Sequence, residues 1–284
     1  MVNHIQSNFK ITTKIVAKWL ILLFVGLFTA FPFIWMVVSS LKTKLEVMDV
    51  KIFLPKIPQW SNFLEVLFHS PIPRYIWNSL WTSLIIVVIQ MITGAMLAYA
   101  LVFLKFKGRH LLFSVIMSTY MLPTAATYIP SYIILSKGGM LNTLTGLIVS
   151  STISIFGIFL LRQAFMQIPK ALVEAAWMDG AAHFRVLWEI LYPMTKSSFS
   201  TFGWMSFIAA YNSYMWPSLI TNDQSKYLVS QGLRSFFIEG GAYGTEWAKV
   251  MAASTVIVAP LLVIFAVAQK WFIKGVGGET GMKG

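Results

Sequence analysis

The stretch 174–193 carries residue types whose spacing suits a specific contact with another protein. Glu174 and Asp179 lie on an alanine-rich segment, and their carboxylates can accept hydrogen bonds from Arg, Lys or backbone N–H groups. Ala175 and Ala176 are small enough to let another surface approach closely. This pattern favours docking of a protein partner. The alternative is an amphipathic connector lying on a bilayer, although such helices are usually richer in Lys and Arg on the polar face.

The sequence has few residues or motifs that are typical of catalytic or metal-binding sites. The chain has no Cys and only four His, which are scattered at positions 4, 69, 110 and 183. No H-E-x-x-H motif and no cluster of carboxylates occurs, so no metal site is predicted. No G-x-x-x-x-G-K-[ST] phosphate-binding loop is present, so the chain cannot bind and hydrolyse ATP by that route. We therefore predict no catalytic residue and no cofactor in this chain.

The composition indicates that lipid is the natural solvent for most of the chain. Hydrophobic residues make up 57% of it and charged residues only 11%, whereas an ordinary globular domain has roughly 25% charged residues. So little charge cannot cover a water-exposed surface of this size. The net charge of +12 is better explained by basic residues that flank membrane spans than by binding of nucleic acid.

Six apolar stretches are long enough to cross a bilayer, which takes about 20 residues of helix. We expect an all-α polytopic membrane protein that forms a single transmembrane domain over residues 1–284. The spans are placed at about residues 17–41, 75–104, 111–136, 143–162, 197–221 and 248–270. The first is longer than the apolar core of a signal peptide and no clear cleavage site follows it, so we expect it to be retained.

The distribution of basic residues predicts the orientation of the six spans. An even number of spans places both termini on one side of the membrane. That side holds 13 of the 22 Lys and Arg but only 4 of the 10 Asp and Glu. Basic residues are enriched in cytoplasmic loops, so both termini are predicted to be cytoplasmic. The long loop 163–196, between the fourth and fifth spans, is then cytoplasmic too.

This loop has the pattern of two short helices joined by a glycine. Pro169 suits the first turn of a helix, and the segment KALVEAAWMD that follows consists largely of good helix formers. Gly180 interrupts the run. The segment HFRVLWEIL has apolar residues at helical spacing, among them Phe184 and Leu187, and Pro193 follows it closely. We predict a short helix, a glycine elbow and a second short helix.

The segment IPKALVEAAWMDGAAHFRVLWEILYPM resembles the EAA loop of binding-protein-dependent ABC transporter permeases. The family pattern is E-A-A, three residues, G, nine residues and then I-x-L-P. Here Glu174-Ala175-Ala176 is followed by Gly180, and Ile190-Leu191-Tyr192-Pro193 ends the motif, with Tyr where the family usually has Leu. The position of the motif between the fourth and fifth spans also agrees with the family.

Three further segments resemble the carbohydrate-uptake group of these permeases, which includes the smaller maltose-type permease. They are MLPTAATYIPSYIILSKGGMLNTLTGLI, YNSYMWPSLI and MAASTVIVAPLLVIFAVAQKWFIKGVGGETGMKG. In the second, Tyr211 stands where the group usually has Trp. The resemblance extends from about residue 15 to residue 284.

The resemblance implies the permease subunit of an ATP-driven importer that moves a sugar or oligosaccharide into the cytoplasm by alternating access. It implies a heterodimer with a second permease, two ATPase subunits that bind ATP and Mg²⁺, and an extracytoplasmic solute-binding protein, in a bacterial cytoplasmic membrane. The residues that it places at the ATPase interface are Glu174, Ala175, Ala176, Asp179, Gly180 and Pro193. It also implies that the glycine-rich tail touches the ATPases, although Glu279 departs from the family pattern.

No Asp, Glu, Lys or Arg occurs at 19–41, 75–104, 111–136, 138–161, 197–222 or 250–269. These charge-free stretches suggest that the transported solute is neutral and rich in hydroxyl groups, because carriers of strongly charged solutes usually have charged residues in their spans. Side chains that can donate hydrogen bonds or stack on a sugar ring are the candidates for its path. They are Tyr120, Thr124, Tyr128, Tyr211, Asn212 and Trp216, together with Tyr132, Ser151, Thr152, Ser154 and Tyr214.

Four of these candidates rest on two specific expectations. Tyr120, Thr124 and Tyr128 recur every four residues, which predicts one shared helical face. Asn212 is favoured because an amide buried in a span needs a partner. Interfacial aromatic residues and small hydroxyl residues that pack helices together are the alternative interpretation. An anionic saccharide stays possible, since its charge can be met by the partner permease or the binding protein.

An ion-coupled secondary transporter of a neutral polar solute is the alternative function. Such a protein needs ion-coupling residues within its spans and often has internal repeats, and the sequence shows neither. The sequence does not identify the sugar or its length.

Overall fold

The computed structural model describes the backbone of residues 2–239 and 246–277, and the side chains of residues 15–235, 246–267 and 269. All regular elements in this part of the chain are helices, which confirms the all-α class. They are α1 (Val2–Ser40), α2 (Lys44–Met48), α3 (Ser61–Phe68), α4 (Ile72–Phe103), α5 (Arg109–Tyr120), α6 (Thr124–Lys137), α7 (Leu144–Ser150), α8 (Ile155–Met166), α9 (Lys170–Met178), α10 (α-helical His183–Arg185, π-helical Val186–Leu191 and α-helical Tyr192–Met194), α11 (Lys196–Tyr211), α12 (Met215–Ile220), α13 (Val229–Glu239) and α14 (Trp247–Gly277). A short 3-10 helix, Gln224–Lys226, lies between α12 and α13.

Three of the described helices are individually long and apolar enough to cross a membrane. They are Ile15–Ser40, Ile72–Phe103 and Trp247–Val267, and they coincide with the first, second and sixth predicted spans. The third and fourth predicted spans are bent pairs, with angles of 102° between α5 and α6 and 44° between α7 and α8. Several apolar helices of this kind are consistent with a polytopic membrane protein.

The fifth predicted span, 197–221, is divided between α11 and α12. Neither part alone reaches the length that a straight span needs. The number of six spans and the cytoplasmic position of both termini therefore stay predictions.

The chain divides into two compact units by packing. One consists of Met1–Ser70 with Phe237–Val256. Within it, the connection after α1 is closely hydrogen-bonded. The fully buried Lys42 donates from Nζ to the Ile52 carbonyl (2.7 Å) and lies over the Trp35 ring (4.3 Å). The Asn62 amide donates to the carbonyls of Ser40 (2.8 Å) and Lys42 (3.1 Å).

The second unit consists of Pro71–Phe236 with Ile257–Gly284. Its centre is α4, which packs against α8 and α11. Close approach of α8 and α11 requires Gly157, because a Cβ there would lie 2.1 Å from the ring of Phe202. A buried apolar cluster joins α4, α8, α9, α10 and α11 and includes Ala98, Leu161, Val173, Leu187, Leu191 and Phe202.

Candidate functional site

Helix α9 packs on its own chain through one face and leaves its acidic residues exposed. Its apolar residue Val173 is fully buried in the cluster that joins α4, α8 and α11. Ala176 and Trp177 are partly buried against the same cluster. Glu174 and Ala175 are exposed on the opposite side. The helix therefore presents a carboxylate and a small side chain outward from a fixed base.

The predicted glycine elbow is present at Gly180. Asp179 caps the C-terminus of α9, and Gly180 adopts the left-handed conformation with φ of 78°. The Gly180 N–H donates to the Trp177 carbonyl (3.0 Å) and the Ala181 N–H donates to the Ala176 carbonyl (2.9 Å). These two bonds form the Schellman motif, which satisfies carbonyls at a helix end and favours glycine at the left-handed position.

The second predicted helix is also present, but with a geometry that the residue pattern does not predict. It begins after Ala182 and passes through a π-helical turn, Val186–Leu191, before it ends near Pro193. Leu187 and Leu191 are buried in the same cluster as Val173. Because one face of each helix is buried against α4, α8 and α11, the segment is packed on its own chain.

The carboxylates of Glu174 and Asp179 remain available for contacts. Both residues are exposed, and neither forms an ion pair with any described residue. The nearby Arg185 is used by Glu189, four residues along α10, with 2.8 Å between Nε and Oε2. Among the described residues, α9 and its C-cap thus carry two negative charges without an ion-pair partner, beside a glycine turn.

A cavity of about 360 Å³ lies in the second unit beside the break between α7 and α8. None of the described residues that line it is charged. Its polar lining is formed by Thr82, Gln90, Ser151, Ser154, Ser206 and Ser213, and its apolar lining includes Ile86, Phe156, Met205 and Trp216. Hydroxyl and amide groups beside an aromatic ring are suited to a neutral, hydroxylated ligand.

Gln90 connects the helices that surround this cavity. From α4, its Nε2 donates to the Ser151 carbonyl (2.6 Å), and its Oε1 accepts a hydrogen bond from the Ser206 hydroxyl of α11. One turn along α4, the Thr93 hydroxyl donates to the Thr152 carbonyl (2.9 Å). These bonds satisfy carbonyls that the helix break at 151–154 leaves free.

The structure brings some of the predicted solute-path residues to this cavity. Ser151, Ser154 and Trp216 line it. The indole N–H of Trp216 donates to the Ser150 hydroxyl (2.9 Å), and the ring stacks on Tyr128 with centroids 5.4 Å apart. Sequence reasoning missed Gln90 and Ser206. Gln90 had a usable signal, because it is an amide within the charge-free stretch 75–104.

The expectation of one helical face for Tyr120, Thr124 and Tyr128 is wrong. Tyr120 is the last residue of α5, whereas Thr124 begins α6, which is bent by 102° from it. Pro123 at the junction disfavours helical backbone at the residue before it and has no N–H to continue the helix. Tyr120 and Thr124 are both exposed, and neither lines the cavity.

Two candidates from the fifth predicted span do not line the cavity either. Tyr211 is fully buried, and its hydroxyl donates to the Ile257 carbonyl (2.9 Å), which is a packing role. Asn212 is exposed, so the premise of a buried amide is wrong. Its Nδ2 donates to the carbonyl of Ile208 in the preceding turn (3.0 Å). A solute contact by any of these residues stays a prediction.

Two further expectations concern the rest of the chain. The end of the glycine-rich tail, residues 278–284, lies outside the described residues, so the structure does not bear on its contact with an ATPase. No group of three or more His, Asp or Glu that could hold a metal ion occurs among the residues that the structure describes.

Comparison with known proteins places these features in a family. The model for "binding-protein-dependent transport system inner membrane component" matches residues 90–278. The sn-glycerol-3-phosphate transport system permease protein UgpE of Brucella abortus (strain 2308) is 33% identical over 264 residues, which cover 90% of this chain and 93% of the relative. UgpE of Yersinia enterocolitica is 32% identical with the same coverage.

The fold is also found among solved structures. A chain in the crystal structure of a bacterial ABC transporter involved in the import of the acidic polysaccharide alginate superposes with a TM-score of 0.80. It is 23% identical, and the match covers 90% of this chain and 95% of that chain.

Proposed function

The chain belongs to the family of inner membrane components of binding-protein-dependent transport systems, and on this premise we propose that it is the permease subunit of an ATP-driven sugar importer. It carries a sugar or oligosaccharide into the cytoplasm by alternating access. The names of its relatives support uptake of polyhydroxylated solutes of this kind. As a transport permease it is a multi-pass membrane protein and not itself an enzyme.

The surface of α9 and the Gly180 turn supports coupling to a separate ATPase. Glu174 and Asp179 are exposed and unpaired within the described residues, while Val173 anchors the same helix in the core. Because the exposed side of α9 is charged and its other side is packed in the core, the helix can transmit a displacement that a partner imposes on it. Glu174, Ala175, Ala176, Asp179, Gly180 and Pro193 form the proposed coupling interface.

The cavity beside the α7–α8 break supports a neutral solute. No charged residue is found among the described residues that line it, although the named relatives belong to systems for sn-glycerol-3-phosphate and for an acidic polysaccharide. A carboxylate or phosphate held there would lack a cationic partner from the described part of this chain, which is unfavourable in a desolvated site. We therefore propose that Gln90 and Ser206 of this chain contact the hydroxyl groups of the solute, and that the ring of Trp216 contacts its apolar face.

The assembly that we propose contains this chain, a second permease, two ATPase subunits and an extracytoplasmic binding protein, in a bacterial cytoplasmic membrane. Its direct test is purification of the tagged chain from its source membrane, followed by reconstitution into vesicles. We expect an ATPase and a second permease to co-purify, and uptake to require ATP together with the binding protein. Uptake that is driven by an ion gradient, with no ATPase attached, contradicts the proposal and favours a secondary transporter.

A further inference from the structure

A side-chain hydrogen bond joins α4 to the segment that follows the Gly180 turn. The Tyr99 hydroxyl, near the end of α4, lies 2.7 Å from Nδ1 of His183, the first residue of α10. The two rings meet edge to face, with centroids 5.7 Å apart. Tyr99 is only 5% exposed, so this bond connects the interior of the second unit directly to the segment that follows the turn.

The ring of Trp177, on α9, packs against the ring of the same histidine. Its centroid is 5.5 Å from that of His183, at an interplanar angle of 84°. Trp177 and His183 therefore hold the two sides of the Gly180 turn together, and Tyr99 fixes this pair to α4. We call Tyr99, Trp177 and His183 the aromatic clasp.

The indole of Trp177 completes this cluster. Its ring nitrogen is buried, and the ring lies against the His183 that bonds to Tyr99.

Helix α4 also carries the side chains that contact the cavity. Gln90 lies nine residues before Tyr99, which is about 13 Å along a helix with a rise of 1.5 Å per residue. Gln90 bonds to the Ser151 carbonyl and the Ser206 hydroxyl, and Thr93 bonds to the Thr152 carbonyl. A displacement of the Tyr99 end of α4 thus acts on the groups that shape the cavity.

We infer that Tyr99 and His183 are a positioning pair that transmits movement of the α9–α10 segment to α4, and thereby sets how much solute is imported per ATP hydrolysed. This inference rests on the proposed function. The pair does not line the solute cavity, and it acts by keeping α4 aligned with the α9–α10 segment. The hydrogen bond is the element that distinguishes this role from apolar packing.

The test is the ratio of import to ATP hydrolysis for the reconstituted complex. Tyr99→Phe keeps the ring and removes the hydroxyl. A hydrogen bond contributes on the order of 2- to 10-fold to an equilibrium, so we expect import to fall by about that factor while ATP hydrolysis changes less than twofold. The matched control is Tyr227→Phe, because the Tyr227 hydroxyl makes no hydrogen bond among the described residues and should leave the ratio unchanged.

The double variant Tyr99→Phe/His183→Leu separates pairing from independent effects. Since both changes remove the same bond, we expect it to be no worse than the more severe single variant. The inference is overturned if the effects of the two substitutions add, or if Tyr99→Phe leaves the ratio of import to hydrolysis unchanged. It is also overturned if Tyr99→Phe lowers import and hydrolysis in proportion and lowers the melting temperature. If the unaltered complex imports solute without ATP, the proposed function is overturned as well. If import is driven by ATP but the effects of the two substitutions add, only this inference is overturned.

Discussion

The Ala181 N–H donates a 2.9 Å hydrogen bond to the Ala176 carbonyl, and this bond closes the end of α9 around Gly180. Gly180 needs its φ of 78° for this closure. A Cβ at this position would meet no atom within 4 Å, so the requirement for glycine comes from the backbone conformation and not from space within the chain.

A bulky residue at this turn should uncouple the transporter. The left-handed conformation costs a residue with a Cβ about 1–2 kcal/mol, and a β-branched side chain also projects into the proposed ATPase contact. We expect Gly180→Val to lower import several-fold while ATP hydrolysis continues. Gly180→Asn is the matched control for conformation, because Asn tolerates this region, and it should retain more coupling than the Val variant. Normal import and normal ATP use by Gly180→Val would falsify the assignment.

Reversal of the exposed charge on α9 should weaken attachment of the ATPase. Glu174 is exposed and forms no ion pair within the described residues, so its replacement should change the stability of the chain itself by less than about 0.5 kcal/mol. We expect Glu174→Lys to retain its melting temperature but to lose co-purifying ATPase. Asp49→Lys, on the predicted outer side, is the charge-matched control. Equal recovery of ATPase with Glu174→Lys would show that this carboxylate does not contact it.

The two helices joined at Gly180 could be predicted from the sequence, because their signals are local. Pro169, helix formers and Gly180 define two helices by backbone preference alone, and both helices are present. The cavity could not be predicted in the same way, because Gln90 and Ser206 are 116 residues apart and meet only through packing of α4 on α11. The prediction that Tyr120 and Thr124 share one helical face is wrong because it requires a continuous helix across Pro123.

Loss of the aromatic wall of the cavity should weaken solute binding. Trp216 lines the cavity and stacks on Tyr128. Aromatic contacts of this kind contribute about 0.5–1.5 kcal/mol beyond buried area, so Trp216→Ala should raise the KM for import by up to about tenfold. Trp81→Ala, which removes a half-exposed Trp from α4, is the matched control and should leave KM unchanged. An unaltered KM for Trp216→Ala would remove this residue from the solute path.

The N-terminus of α10 offers a stabilising substitution. Ala182 is its N-cap residue, with extended backbone and no side chain that can accept a hydrogen bond. A Ser hydroxyl at this position can accept from a free N–H in the first turn, which typically contributes about 1 kcal/mol. We expect Ala182→Ser to raise the melting temperature of the purified chain, as measured by thermal unfolding in detergent, with Ala182→Val as the control that lacks the hydroxyl. A melting temperature for Ala182→Ser at or below that of the unaltered chain would contradict the cap geometry.

The connection after α1 should be sensitive to acid through Glu46. Backbone N–H groups of Thr43 (3.0 Å) and Lys56 (3.2 Å) donate to its carboxylate and lower its pKa below the usual 4.5. The stabilisation is therefore present above pH 4.5 and is lost as the pH falls through the lowered pKa. We expect the unaltered chain to exceed Glu46→Gln in thermal stability at pH 7, and the difference to shrink below pH 4.5. A difference that does not depend on pH would contradict this assignment.

Contact between α9 and an ATPase can be measured directly, because the chain has no cysteine. Ala175→Cys introduces a single thiol on the exposed face of α9, beside Glu174, and the thiol can carry a photoreactive group in intact membranes. A group at Trp81→Cys, on a half-exposed site of α4, reports the lipid background. If α9 couples ATP hydrolysis to import, the Ala175→Cys probe forms a covalent adduct with an ATPase subunit and the Trp81→Cys probe does not. If α9 is instead a connector on the bilayer, both probes label lipid and neither captures an ATPase.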